Sequence, residues 1–339
     1  MPASGYGRAL CALVASAALL LAGCGGGAGE TGVAPPPAAS GSADAFPVTI
    51  EHKYGSTTIP AEPKRIVAIG YQEHDFIYAL GSKPVAVRWW YGSETDVIHP
   101  WTEPKAAGES PQILKMDTIE LEKIAALDPD LILGLYSGIS QDEYTKLTNI
   151  APTITQSGKY VDYGSPWQET TRTIGRALGK SAEAEKLVND LDGRFAAIKA
   201  AHPEFAGKSI VVASFGPENI GFFASQDPRS RFFTSLGFTV PKEFDDIAGK
   251  EFYGTLSYEQ TNLLDRDVLV WDQLSFTPGG RATVEQNALV QRMAVSKEQR
   301  SIFLEGDVEA AFGWNTVLSL PFVLDVLERE LTRVVRPQG

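Results

Sequence analysis

The sequence predicts an α/β protein of two similar lobes, each with a mostly parallel central sheet, joined by a long rigid helix with a ligand cleft between the lobes. Three observations carry this. The first is a duplicated block: Glu122-Lys-Ile-Ala-Ala-Leu127-Asp128-Pro-Asp130-Leu-Ile-Leu133 returns 137 residues later as Glu259-Gln-Thr-Asn-Leu-Leu264-Asp265-Arg-Asp267-Val-Leu-Val270, with four identities in twelve positions. Each copy reads as a Glu-led helical stretch, Leu-Asp-x-Asp, and an apolar run too short for a helix and right for a buried parallel strand. The second is the order of the flanks. Lys64-Arg-Ile-Val and Lys208-Ser-Ile-Val each open an apolar strand, and Leu80-Gly81 and Leu236-Gly237 each close a helical segment, Gly being suited to the position after a helix. The third is the stretch between the halves, where Ile174, Leu178, Leu187, Leu191, Phe195 and Ile198 recur at helical spacing.

The resulting organisation is a signal peptide over 1–23, a flexible tether over 24–45, an N-terminal lobe over 46–164, an interlobe helix over 165–200 and a C-terminal lobe over 201–339. The leader has a lone Arg8 before an apolar run from Ala9 to Ala22, shorter than the roughly 20 residues that span a bilayer. It ends in Leu21-Ala22-Gly23-Cys24, which resembles the lipobox of bacterial lipoproteins, and that resemblance implies lipidation at Cys24 and a membrane anchor on the extracytoplasmic face. The only other cysteine, Cys11, leaves with the leader, so a disulfide framework and thiol chemistry are excluded from the mature chain. Residues 25–44 are rich in Gly, Ala, Pro and Ser, a composition that buries too little surface to fold.

In the N-terminal lobe, Val48-Thr-Ile-Glu-His52 alternates like an edge strand and residues 54–60 read as its hairpin return. Residues 63–69 form the first buried strand. Ligands of open α/β sheets sit at the carboxyl ends of strands, which makes Tyr71 a cleft candidate. The next strand runs into Arg88-Trp89-Trp90-Tyr91, where an Arg beside rings can hold a planar or anionic ligand; one of the two Trp is expected to be core. Tyr136 and Ser137 follow the first Glu-led block. Tyr160, Tyr163 and Trp167 lie in a Gly/Pro-punctuated loop and either line the cleft or staple the next helix. In the second half, Phe215 and Trp271 stand at strand ends and are expected to face Tyr71 and Arg88 across the cleft. A helix with Pro in its first turn, residues 319–331, closes the chain.

A net charge of −12 with no basic run argues against a nucleic-acid partner. The Gly175-Arg-Ala-Leu-Gly179-Lys180-Ser181 run is one residue short of a phosphate loop and follows no strand. Four scattered His offer no metal spacing. Glu73, His74 and Asp272 are the main titratable groups near the strand ends, and they name no nucleophile and base. The expectation is therefore no enzyme, no cofactor and no direct metal ligand.

The chain resembles the lipoprotein substrate-binding components of bacterial iron–siderophore and cobalamin ABC importers, the helix-linked two-lobe class. The resemblance rests on Pro63-Lys-Arg-Ile-Val, Leu80-Gly81, the first Glu-led block, Ile150-Ala-Pro-Thr, Leu236-Gly-Phe and Leu256-Ser-Tyr-Glu-Gln260, together with Val87-Arg-x-Trp-Tyr-Gly92 and Tyr163-Gly-x-Pro-Trp-Gln168. It implies a monomer that captures a ferric siderophore and delivers it to an ABC permease dimer with its ATPase subunits. Glu122 and Glu259 match the surface Glu that each lobe docks on the permease. Few cations stand at the strand ends, with Arg88 clear and Arg229, Arg231 and Arg281 possible. That favours a hydroxamate over a triply anionic tris-catecholate, with haem or cobalamin as rival ligands and a sensory or enzymatic protein as the rival class.

Overall fold

Strict alternation of buried and exposed residues along β1 (Val48–His52) builds the first element, an antiparallel hairpin with β2 (Gly55–Ile59) in which Val48 pairs with Ile59. The structure, a computed structural model, describes residues 45–90 and 97–335; the leader, the tether up to residue 44, Cys24 and Tyr91 lie outside the described residues. The N-terminal lobe continues with β3 (Ile66–Ala68), β4 (Pro84–Arg88), β5 (Gln112–Leu114), β6 (Leu131–Gly134) and β7 (Thr153–Thr155), in the spatial order β5-β4-β3-β6-β7 and parallel throughout. The C-terminal lobe holds β8 (Ile210–Phe215), β9 (Ile220–Phe223), β10 (Tyr253–Leu256), β11 (Val268–Asp272) and β12 (Ser301–Phe303), ordered β10-β9-β8-β11-β12. Here β8, β11 and β12 are parallel, while β9 and β10 turn back antiparallel.

The two acidic blocks do the same work in both lobes. Asp130, just before β6, accepts the backbone N–H groups of Lys64 at 2.7 Å and Arg65 at 2.9 Å. Asp267, just before β11, accepts the backbone N–H and the hydroxyl of Ser209 at 2.8 and 2.7 Å. A carboxylate thus satisfies donors at the start of the neighbouring central strand, beyond the reach of the ladder. The registers agree, Ile66 lying beside Leu131 and Ile210 beside Val268.

Alternation along these strands divides the apolar residues between two faces. Val67, Ile69 and Ile132 fill an outer core of the N-terminal lobe, and Val211, Ala213, Leu269 and Trp271 an outer core of the C-terminal lobe. The inner faces share one core. Ile66, Ala68 and Leu133 from one sheet and Val212, Val268 and Val270 from the other join it through Ile174, Val188, Leu191 and Phe195.

The connection across this core is two helices. Trp167–Ala177 packs on β1 and on the helix Glu73–Ala79, and the chain breaks at residues 178–180 before Ser181–Ala201 runs on to the helix Pro228–Ser235. The interlobe helical segment expected over 165–200 is therefore divided at Gly179, the glycine that interrupts its apolar spacing, and its second part alone crosses; at about 1.5 Å per residue its 21 residues span about 30 Å. A second joint lies beside it. Asp75, fully buried, accepts Trp101 Nε1–H at 2.8 Å and the hydroxyls of Thr102 and Thr316 at 2.6 Å each. Thr316 sits between the helices Gly306–Trp314 and Ser319–Val334, and its oxygen also accepts the Ser319 N–H at 3.0 Å. Trp314 packs edge-on against His74 and His99, with ring centroids 4.4 and 4.8 Å away.

Burial pushes the Asp75 carboxyl up to about 6, against the three donors, which hold it down. Removing a donor harms the ionised form more than the neutral one. Thr316→Val is expected to cost about 1–3 kcal/mol of unfolding free energy at pH 8 and clearly less at pH 5, where Asp75 is protonated, as read by urea denaturation at both pH values.

Candidate functional site

Each lobe turns the carboxyl ends of its strands toward the other, and the loops that leave them are rich in rings. Tyr71 follows β3, Trp90 follows β4, Met116 and Asp117 follow β5, and Tyr136 follows β6. From the C-terminal lobe, Phe223 ends β9, Phe252 and Tyr253 begin β10, Gln273 follows β11 and Arg229 opens the helix Pro228–Ser235. These residues and Tyr163 enclose a cleft of about 410 Å³. A larger hollow of about 610 Å³ lies on the outer edge of the C-terminal lobe, lined by Arg281, Glu285, Lys297, Glu330 and Arg333 among others. Its walls mix charges of both signs and come from one lobe, whereas the smaller cleft gathers strand-end loops from both, where ligands of such sheets bind.

The rings are fixed from behind. Arg88 is buried, with its guanidinium 4.4 Å from the Tyr71 ring centroid, and donates to the carbonyls of Met116 at 2.7 Å (Nε) and Ile69 at 3.4 Å. Tyr71 donates its hydroxyl to the Met116 carbonyl at 3.2 Å. Tyr163 stands in the left-handed region at φ 63°, a strained position for a ring-bearing residue. Its hydroxyl donates to the Ser137 carbonyl at 3.2 Å, beside Gly138, where a Cβ would stand 2.2 Å from that oxygen. Trp90 lies 5.5 Å from Tyr71 and 6.4 Å from Tyr136, centroid to centroid.

Arg229 is the cation of the cleft. It is 2% exposed, donates through Nε to Asp272 at 2.9 Å, lies 3.5 Å from both oxygens of Asp227, and holds its guanidinium 4.4 Å from the Phe223 centroid and 5.9 Å from that of Trp90. Burial pushes Asp227 up to about 6 and raises Asp272, and in both the Arg229 charge opposes the rise. The nearby Arg229 charge opposes the rise that burial gives the Tyr136 phenol. Burial raises the Tyr136 and Tyr163 phenols above the ordinary range. Neutral, they offer hydrogen bonds and ring faces to the cleft.

Of the residues expected at the site, Tyr71, Trp90 and Tyr136 line the cleft. Arg88 and Ser137 lie behind it, Ser137 donating its hydroxyl to the Gly134 carbonyl at 2.7 Å. The expectation for Phe215 and Trp271 is corrected. Both are buried in the outer core of the C-terminal lobe, 5.9 Å apart, because their strand positions share the parity of Val211 and Leu269. Asp272, one residue on, takes the inner side and meets Arg229. Glu73, His74 and Asp272 are fully buried and lie off the cleft surface. Glu122 and Glu259 are exposed in the first turns of the helical segments Leu121–Ala126 and Tyr258–Leu264, before β6 and β11. Met116, Asp117, Phe252, Tyr253 and Gln273 went unread in the sequence; for Phe223, the Gly221-Phe-Phe-Ala run was the available signal.

The periplasmic binding protein family model matches residues 66–308. Among curated proteins, the chain is 27% identical to the ferric-anguibactin-binding protein of Vibrio anguillarum, covering 77% of this chain and 80% of that one. It is also 27% identical to an Fe(3+)-citrate-binding protein of Bacillus subtilis, covering 77% and 78%. Among solved structures, a periplasmic solute binding protein from Mycobacterium smegmatis superposes with a TM-score of 0.75 at 32% identity, covering 85% of this chain and 99% of that one.

Truncating Arg229 strips the cation from two buried carboxylates. Arg229→Ala is expected to lose about 3–5 kcal/mol of stability at pH 8 and to regain part of it toward pH 5, where Asp227 takes up a proton; adding Asp272→Asn should restore part of the loss at pH 8 in the same denaturation experiment.

Proposed function

We propose, from the premise that the chain belongs to the periplasmic binding protein family, that it captures a ferric siderophore outside the cytoplasm and delivers it to an ABC permease for iron uptake. The observation that carries this is the ring-lined interlobe cleft with one cation held between two carboxylates. Rings and phenol hydroxyls suit the organic shell of a chelate. The two curated relatives named above are binding proteins for two different ferric chelates, which supports the ligand class and leaves the chelator to the cleft. Three hydroxamates balance Fe(III), whereas three catecholates leave a triply anionic complex. Arg229 is offset by Asp227 and Asp272, Asp117 adds a carboxylate, and Arg88 faces carbonyls behind the wall. The cleft thus has no surplus of positive charge, and hydroxamates are the favoured ligands.

Delivery rests on Glu122 and Glu259. One exposed carboxylate on each lobe, in matching positions before the second central strand, suits a two-fold partner with cationic pockets. Anchoring rests on Cys24 and its lipid. No helix among the described residues is long and apolar enough to cross a membrane.

Tryptophan fluorescence of the chain without residues 1–24 is expected to show saturable quenching by a ferric hydroxamate at sub-micromolar concentration, and Trp90→Phe should remove most of the signal. Trp90→Ala or Tyr136→Ala should weaken binding roughly tenfold, about 1.4 kcal/mol. Quenching by haem alone would change the cargo, and no response to hydroxamate, catecholate or haem would remove the receptor reading. In cells, joint replacement of Glu122 and Glu259 by Ala should abolish iron uptake with ligand affinity unchanged; normal uptake would sink the docking assignment.

A further inference from the structure

Tyr71 and Tyr136 reach the cleft from the loops after β3 and β6, and one buried carboxylate lies between those loops. Glu73, the first residue of the helix Glu73–Ala79, is fully buried. Its Oε1 accepts the Tyr136 N–H at 2.7 Å and its Oε2 the Gln72 N–H at 3.2 Å. The Leu135 N–H contributes as well. The Tyr71 N–H in turn donates to the Tyr136 carbonyl at 3.3 Å. Gly70 makes the room, since a Cβ there would stand 1.9 Å from Glu73 Oε1.

The surrounding ionisable groups are committed elsewhere. On the same helix, His74 packs on Trp314 and Asp75 takes Trp101, Thr102 and Thr316. On β4, Arg88 donates to the carbonyls of Met116 and Ile69. On the cleft side, the phenols of Tyr71 and Tyr163 serve the Met116 and Ser137 carbonyls, and that of Tyr136 meets Arg229. Glu73 is held by backbone amides.

We propose that Glu73 is a positioning residue for ligand capture. Ionised, it only accepts, and it holds both loops so that Tyr71 and Tyr136 face the cleft together; protonated, one oxygen becomes a donor opposite an amide, the loops part and affinity falls. The proposal rests on the reading that a ferric chelate occupies this cleft. Burial pushes the Glu73 carboxyl up to about 7, opposed by the amides of Tyr136, Gln72 and Leu135. Because the folded-state value is raised, ionisation weakens the fold as pH rises through that range, whereas it strengthens binding. A group serving only the fold would move both in the same direction.

The test is fluorescence titration with ferrioxamine B at pH 8 and pH 6, with thermal unfolding alongside, on the wild-type chain and Glu73→Gln. The wild type is expected to bind about tenfold more tightly at pH 8 than at pH 6. Glu73→Gln should bind at pH 8 about as weakly as the wild type at pH 6, while its unfolding midpoint at pH 8 stays level or rises. Wild-type affinity in Glu73→Gln at pH 8, or retention of the wild-type pH dependence, overturns the assignment and leaves the receptor reading intact. Absence of ferrioxamine B binding by the wild type at either pH counts against the hydroxamate reading instead. In that case, or if Glu73→Gln does not fold, NMR of the ligand-free wild type decides: the Tyr136 amide shift should titrate with the Glu73 side-chain carboxyl carbon, and an amide that stays fixed through that titration overturns the proposal.

Discussion

The lobes meet around one carboxylate. A buried carboxylate without donors is too costly to persist, and Asp75 takes its donors from both sides of the joint, Trp101 and Thr102 from the N-terminal lobe and Thr316 from the chain that leaves the C-terminal lobe. Separating the lobes at this point would take the Thr316 hydroxyl from it and open the buried carboxylate to the break. Trp314 reinforces the contact by packing on His74 and His99, and the inner core runs without interruption from one sheet through the crossing helices to the other. The width of the cleft is therefore set largely by the fold. A cleft already formed spares the ligand much of the ordering that binding otherwise requires.

The same region concentrates carboxyl groups that burial has raised. Glu73 reaches about 7, Asp75 and Asp227 about 6, and Asp272 and Glu309 are raised as well. For each, the stabilising contribution is full at low pH and is lost as pH rises through the folded-state value. For Glu73, the rise from 4.5 to about 7, at about 1.4 kcal/mol per pH unit, means that the ionised form costs the fold on the order of 3 kcal/mol. An apolar residue would avoid that cost, and the outer cores, filled by residues such as Val67, Ile132, Val211 and Leu269, do avoid it. Two cleft residues, Tyr163 and Gln273, also hold positive φ values of 63° and 59°. Buried carboxyls with raised values gathered beside a cleft mark where function constrains the chain.

The repeat was legible because it reflects backbone demands. Asp130 and Asp267 each serve donors at the start of a central strand, so two lobes under the same rule keep the same residue in the same place. Tyr71, Trp90 and Tyr136 could be read because ligands lie beyond the carboxyl ends of parallel strands. Phe215 and Trp271 could not be placed by that rule, since a shift of one position turns a strand residue to the other face, and nothing in Val270-Trp271-Asp272 says which of the two last residues turns inward. Tyr253 was hidden for a different reason. It enters the cleft through the antiparallel β9–β10 pair, which has no counterpart among the parallel strands of the first lobe, so the repeat pointed away from it.

That departure explains how a duplicated fold carries an unsymmetrical site. The features shared by the lobes lie where backbone geometry rules: parallel central strands, a carboxylate at their start, and an exposed Glu in the turn before the second of them. A partner built on a two-fold axis would meet these as equals, which is what the proposed docking through Glu122 and Glu259 requires. The cleft walls differ because side chains rule there. The first lobe supplies Tyr71, Trp90, Tyr136 and Tyr163, and the second Phe223, Phe252, Tyr253 and a cation between two carboxylates. The cleft thus has unlike walls while the outer surface presents like charges. Tyr136 stands where the two requirements meet, its backbone N–H held by Glu73 within the first lobe and its ring set in the cleft wall that Arg229 completes from the second.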